Sequence, residues 1–550
     1  MHLVIVDTAQ IQSYIFGSNR LRENIGASYL VAQSTGDWAK EAVRQIAGQN
    51  NIQPVGTIDN TKHIENPAHN LDAEVLYAGG GNFVVLFRDE RLAKDFTRVL
   101  SRKVLTEAPN LQLVIVQNSF DWNGESLFHK IKATFKKLAE EKRARALSSP
   151  LLGLGVTVMC RSTGLPATQV VQPIPTDPTS AYPASAEIAA KLDAVLAANQ
   201  RLDTMFASTL GRAYAFPRDL DEMGRTAGEH SFIAVVHADG NGMGQRIMEI
   251  GTGFPNPSQN RDYINALRTF SDQVDAAGQQ ALQEVLNKLA ARIQNDGGNR
   301  IVRKNATGKI IAEIKLKSAD GGQWFLPFRP IVFGGDDVTF VCDGRLGLSL
   351  AIEYMRQLER HTQNLPDGKG KLTACAGVAI VKAHYPFARA YALADELCKS
   401  AKNYRREIRN LHSDWDGSCM DWHFALSGLS GSIKEIRQRE YAVKAGSLIL
   451  RPVALDDNPQ HSGRSWTVVE KGIAEFQGEG WTGRRNKMKA LRDALREGPD
   501  AVQHFLTKYN EGKPLPDVEP SLTDWKNSGW QGGYCGYFDA LELADWFIPL

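Results

Sequence analysis

Apolar positions along the chain alternate between short continuous runs and longer stretches with three- and four-residue spacing, the signature of buried strands alternating with amphipathic helices. Phe232 to Ala238 is such a run, long enough for one buried strand, and it closes on the turn-forming stretch Asp239-Gly-Asn-Gly-Met-Gly244. A helix is predicted next, because Leu267, Phe270, Val274, Ala277, Ala281, Val285 and Leu289 recur at helical steps before Gly297-Gly298 stops them. A hairpin (Ile331 to Cys342), a helix (Leu346 to Arg360), a strand (Leu372 to Val381) and a helix (Phe387 to Arg405) follow. This order folds into an antiparallel sheet with helices on one face, the ferredoxin-like or palm arrangement.

The N-terminal part repeats the order. Leu3 to Asp7 reads as a strand, Leu21 to Ile46 as largely helical, Glu74 to Phe87 as a hairpin, then helix (Arg91 to Val104), strand (Leu111 to Gln117) and helix (Leu127 to Ala146). The tips differ: Gly79-Gly80-Gly81-Asn82 stands where the second copy has Gly334-Gly335-Asp336-Asp337. The expected class is α+β, with two ferredoxin-like palms and a mainly helical C-terminal domain. Residues 1–150 form the first palm, 151–228 a partly helical connector, 229–410 the second palm and 411–550 the C-terminal domain. The connector is Pro- and Ser-containing from Gly164 to Ser185 and helical from Ala186 to Leu202, while Arg484 to Leu506 is the charged helical part of the C-terminal region.

Composition narrows the classes. With 43% hydrophobic and 23% charged residues the chain is globular, and no apolar run reaches the roughly 20 residues of a membrane helix, so no membrane partner is expected. Met1 to Asp7 lacks a basic leader and ends in an acid, so it is not a secretory signal and a cytoplasmic protein is expected. The six cysteines include no C-x-x-C pair, which points to reduced core thiols rather than zinc ligands or disulfides. A net charge of +2 gives no global attraction for nucleic acid. The basic run Lys130 to Arg145 carries Phe128, Ile131, Phe135 and Leu138 at helical spacing, so a surface helix with a solvated basic face is favoured over a nucleic-acid footprint.

Two strands that end in acids can lie side by side, which would bring Asp239 to Asp336 and Asp337. Bare, such carboxylates repel and one takes up a proton; two divalent ions, Mg²⁺ or Mn²⁺, would neutralise them, since hard oxygens without His or Cys pairs suit hard ions. Two metals about 4 Å apart serve in-line displacement at phosphorus, so nucleotidyl transfer is implied. Gly334 and Gly335, with Asn241 and Gly242 at the other strand exit, leave backbone space for a nucleotide, and Lys402 is the candidate cation for its triphosphate. His237 reads as structural. Asp7, whose hairpin partner is Asn82, reads equally as a metal ligand or a structural acid.

Together these motifs resemble the large subunit of type III CRISPR effector complexes, the palm polymerase/cyclase family, and more distantly the GGDEF-type nucleotide cyclases. The resemblance is carried by Asp7 to Arg22, Gly79 to Asn82, Asp239 to Gly244, Pro327 to Asp337 and Ala376 to Pro386. It implies a synthase that joins ATP molecules through 3′–5′ linkages into a cyclic oligoadenylate messenger of antiviral defence, with metals on Asp239, Asp336 and Asp337 in the second palm. It also implies, as partners, guide RNA, other effector subunits and a downstream protein that senses the product. The family's HD nuclease domain is not expected here, since no His-Asp dipeptide occurs in the sequence, and of its cysteine-rich zinc insertion only Cys160 remains, so no zinc is expected. Two other functions compete: a non-catalytic scaffold subunit of an RNA-guided complex, and a templated polymerase. Clustered acids without metal cost stability, which weighs against the scaffold; the palm lacks recognisable fingers, which weighs against the polymerase.

Overall fold

The computed structural model describes residues 1–145, 155–224, 231–295, 298–304, 308–425, 431–456, 463–478, 480–481 and 483–550. The expected boundaries at 150/151 and 228/229, Ala146 as a helix end and Gly297 as a helix stop lie outside the described residues.

Each palm is built on one antiparallel motif. In the first sheet the strands stand in the order Ala73–Gly79, Asn82–Phe87, His2–Ala9, Gln112–Ser119. In the second, Phe328–Gly334, Asp337–Asp343, Phe232–Gly240 and Ala374–Lys382 stand in the same order. The repeat reaches the irregularities. The first strand of each tip hairpin carries a register shift, between Val75 and Tyr77 in one and between Pro330 and Val332 in the other. Such a bulge sharpens local twist and re-aims the tip that follows it.

The continuous apolar runs are explained by burial on both faces. Along Phe232–Gly240, Ala234, Val236 and Ala238 enter one core, while Ile233 and Val235 enter another that also holds Val4 and Val6 of the first palm and Phe387, Leu393 and Leu397 of the second. The two palms therefore share a core. They are also joined by charge: Glu74, fully buried, accepts from Arg261 at 2.7 Å and from Arg268 at 2.9 Å, both on the helix Asn260–Ala291. Removing one member of a buried set like this costs about 3–5 kcal/mol, because it strands the remaining charge.

Several elements differ from the periodicity. The helical stretch Leu21 to Ile46 breaks into Leu21–Thr35 and Asp37–Ile46 at Gly36. The long helix ends at Ala291 and is preceded by a shorter one, Met243–Thr252, in a glycine-rich stretch whose composition hid it. An additional hairpin, Arg300–Lys304 with Ile310–Lys315, lies before the second tip. The C-terminal part is not separate in its packing. Cys419–Ala425 pairs in parallel with Ala374–Lys382 and so extends the second palm's sheet across the expected boundary at 410/411. Trp466, Phe476 and Phe538 join the core that covers that sheet. The rest of this region is mainly helical, including Trp466–Gln477, Arg485–Glu497 and Pro499–Tyr509. Among the described residues no helix is long and apolar enough to cross a membrane.

Candidate functional site

The second tip is assembled by strand register. Asp337 faces Asp239 across neighbouring strands, and Gly334 closes the hairpin opposite Asp337. Asp336 sits in the turn between them: the Gly240 N–H donates to its carbonyl at 3.1 Å. Two glycines are needed here. A Cβ on Gly240 would stand 2.5 Å from that of Asp336, and Gly335 has φ 63°, a left-handed conformation that side chains disfavour. The three carboxylates, 97 positions apart in sequence (336 − 239) at their widest step, thus converge on one sheet end.

Their electrostatics follow from that convergence. Burial, reinforced by the Asp239 carboxylate, pushes both Asp336 and Asp337 up to about 7 from a usual value of 3.8. Lys402, on the helix Phe387–Leu411, donates to Asp239 at 2.5 Å. Burial opposes its charge, but Asp239 outweighs that and holds the ammonium above its ordinary pKa. One resident cation therefore faces three acids. The Oδ1 atom of Asp337 is buried without a hydrogen-bond partner, with His237 Nδ1 3.4 Å away. That imidazole bonds Thr339 at 3.1 Å and is pushed below its usual range by burial, so it stays neutral and satisfies no charge.

These residues fit a divalent ion by chemistry: hard oxygens in excess of positive charge, one of them orphaned. Their present arrangement is not a closed shell, and among the described residues no group of three or more His, Cys, Asp or Glu side chains is gathered closely enough to hold a metal. Asp239 is meanwhile paired with Lys402.

The raised acids make a stability statement. Unfolded, both titrate near 3.8; folded, near 7, so the folded state is penalised progressively as pH rises from about 4 to about 7. Metal-free protein should therefore lose more melting temperature between about pH 5 and pH 8 than the variant Asp336→Asn/Asp337→Asn. Added Mg²⁺ or Mn²⁺ should raise it more at the higher pH. Parallel curves for protein and variant in thermal melts would show that the two carboxyls do not titrate in this range.

The first tip has the same construction with different chemistry. Asp7 faces Asn82 in register, as Asp239 faces Asp337, and Lys142 of the helix Leu127–Ala144 pairs with Asp7 as Lys402 pairs with Asp239. One acid with one lysine leaves no excess negative charge at this tip. Lys142 was hidden in the basic run. That run is divided in the structure: Lys130 pairs with Glu125, Lys142 turns to Asp7, and Lys136 and Lys137 remain exposed.

Between the tips lies a cavity of about 800 Å³ whose walls include Gly79, Gly80, Gly81 and Asn82 on one side and Gly334, Gly335, Asp336 and Asp337 on the other. Apolar side chains such as Ile15, Phe128, Ile131, Phe270 and Phe333 dominate the remainder. Lys132 and Arg201 also line it, neither with an ion-pair partner among the described residues. Arg201, whose guanidinium lies 5.6 Å from the Phe333 ring centre, comes from a connector helix in which the sequence offers no signal of a site. Asn241 departs from expectation. Its side chain is buried and hydrogen-bonds the Thr373 hydroxyl at 3.1 Å, so it anchors the strand exit to the neighbouring strand instead of facing the cavity. Gly242, at φ 74°, turns the chain into the helix Met243–Thr252. Cys375, Cys398 and Cys419, distant in sequence, share a small core, with Cys375 in register with Asp239.

Residues 232–410 match the family model described as Cas10/Cmr2, second palm domain. The resemblance to a type III effector large subunit drawn from the sequence stands on this match. No curated protein matches the chain. Among solved structures, the Csm1-Csm4 cassette in complex with cA4 is similar at 14% identity and TM-score 0.49, covering 99% of this chain and 70% of that one. The Csm1-Csm4 cassette in complex with one ATP is similar at 14% identity and TM-score 0.48, covering 100% and 70%. Csm1 in T. onnurineus is similar at 14% identity and TM-score 0.46, again covering 100% and 70%.

Proposed function

We propose that the protein is a metal-dependent nucleotidyltransferase of the type III effector kind, joining ATP molecules into a cyclic oligoadenylate in the cavity between its two palm tips. The observation that carries this reading is the facing of Asp337 and Asp239, with Asp336 beside them, on the rim of a cavity shared with the glycine tip of the first palm. The choice of adenine comes from the family resemblance, and so do the expected partners, guide RNA and the other effector subunits.

In the proposed reaction the 3′ oxygen of one ATP bonds to the α-phosphorus of another. The bond from that phosphorus to pyrophosphate breaks, and the hydroxyl proton is lost to water. Two Mg²⁺ or Mn²⁺ ions on Asp239, Asp336 and Asp337 would supply charge neutralisation at the phosphates and a more acidic attacking hydroxyl. Gly334 and Gly335 let the nucleotide approach the backbone, and the apolar walls exclude water from the polyphosphate. Lys402 gains a further role from its position. It lies within reach of Asp239 at the same strand end as the paired acids, and would meet the triphosphate there were Asp239 to hold a metal ion.

The test is to incubate the pure protein with each nucleoside triphosphate and Mg²⁺ or Mn²⁺ and identify products by mass spectrometry. ATP should yield pyrophosphate and a ring of 3′–5′-linked adenylates. No product with any nucleotide, with or without an activating RNA, would leave the scaffold reading in its place. In the same assay Lys402→Ala should raise the KM for ATP about tenfold, the effect of losing one charge-assisted contact. A variant with wild-type KM and kcat would make Lys402 only the partner of Asp239.

A further inference from the structure

One helix touches both tips. Asn260–Ala291 is tied near its start to the first palm, where Arg261 and Arg268 bond Glu74, and Arg268 also donates to the carbonyls of Leu76 at 2.8 Å and Val75 at 2.6 Å. These groups lie on the strand that runs into Gly79. A turn further along, Ser271 approaches that tip closely enough that a Cβ on Gly79 would stand 3.3 Å from its hydroxyl.

The same helix then holds the second tip. The Asp275 carboxylate accepts the Gly335 N–H at 3.0 Å, and Gly278, one turn on, lets the Gly335 carbonyl so close that a Cβ there would stand 2.2 Å from its oxygen. Gly335 is the residue with φ 63° whose turn presents Asp336 and Asp337. The N–H of Gly335 is thus held, and its carbonyl closely packed, by a helix that is fixed to the other palm.

From this we propose that Asp275, with Gly278, is a positioning residue: the helix acts as a ruler that fixes the distance between the tips, and Asp275 holds the Gly335 turn, and with it the two acids, at that distance. The proposal rests on the nucleotidyltransferase reading for its kinetic consequence, though not for its structural one. A single-bond N–H acceptor is what the geometry asks of Asp275. Asp272 and Asp336 are further acids beside the same cavity, so Asp275→Asn removes one charge from an acidic wall while keeping the acceptor.

Two joining nucleotides must be held within a fraction of an ångström of attack geometry, so a shifted tip lowers kcat and leaves KM largely alone. Asp275→Ala should reduce kcat about thirtyfold with KM changed less than about threefold, and Asp275→Asn, whose amide oxygen still accepts the N–H, should recover most of the loss. Gly278→Ala should resemble Asp275→Ala, and thermal melts should show each variant folded. Hydrogen exchange supplies a readout without turnover: the Gly335 amide should exchange faster in Asp275→Ala than in wild type or Asp275→Asn. Wild-type kcat in Asp275→Ala, or an Asp275→Asn variant as slow as Asp275→Ala, would overturn the proposal. If the wild-type protein itself makes no product, the transferase reading fails on its own, and the exchange of the Gly335 amide still decides: an unchanged rate in Asp275→Ala overturns the ruler, a faster one restored by Asp275→Asn upholds it.

Discussion

Asp336→Ala combined with Asp337→Ala should lower pyrophosphate release from ATP by more than about a hundredfold, the loss expected when charge stabilisation and nucleophile activation disappear together. The structure sharpens the reason for this size. Asp239 already has a cation in Lys402, so the excess negative charge of the site resides in Asp336 and Asp337, and removing both leaves nothing to attract a divalent ion. The fold should tolerate the change. Asp337 has one carboxylate oxygen buried without a partner while the rest of its side chain meets solvent, and both carboxyls are disfavoured when charged, so their loss relieves repulsion instead of breaking a bond. The double variant should therefore melt at or above the wild-type temperature in metal-free buffer near neutral pH while failing in catalysis. Undiminished turnover would remove the acids from the chemistry; a collapsed fold would show that they are structural.

What was legible in advance, and what was not, divides along one physical line. Strands and the second tip were readable because their signals are local: a continuous apolar run, two glycines, two acids, a strand of the right length on either side. The pairing of Asp337 with Asp239 was also accessible, because the order strand, helix, hairpin admits few sheet topologies. Interactions that depend on which face of a helix meets another element were not. Lys142 sits among five other basic residues from Lys130 to Arg143, and nothing in its neighbourhood marks it as the partner of Asp7. Arg201 and Asp275 lie on helices whose periodicity shows which side is apolar but not what their polar positions face. Asn241 misleads for the opposite reason: a polar residue between glycines looks available for a ligand, while the structure commits it to Thr373. The strand Cys419–Ala425 has no local signal of its partner, because Ala374–Lys382 already completes the four-strand motif in sequence order.

The internal repeat makes the first palm the more informative place for a second large effect. Its tip keeps glycines at φ 55° and 78°, Gly80 and Gly81, yet its acid is neutralised by Lys142 and its partner is Asn82. This tip, with backbone space and without excess charge, lines the cavity opposite Asp336 and Asp337. Linkage formation needs such a place, since one nucleotide must present its hydroxyl to the other, and holding both converts an encounter into an oriented step. Gly80→Trp should therefore lower synthesis by at least about a hundredfold while a single ATP still binds with metal at the second palm. The substitution acts in two ways: it fills the cavity, and it stresses the turn, since even a Cβ there would stand 3.1 Å from the Tyr77 hydroxyl at a φ that side chains disfavour. Gly81→Ala separates them: it carries the same disfavoured φ, 78°, with no atom within 4 Å of its Cβ and no bulk, so a loss that appears in Gly81→Trp but not in Gly81→Ala reports filled space. Equal loss in the two tryptophan variants beside an active Gly81→Ala, with metal-dependent ATP binding retained, assigns the acceptor nucleotide to the first tip. Wild-type synthesis in a folded Gly80→Trp protein would make the first palm a support and move the acceptor elsewhere in the cavity.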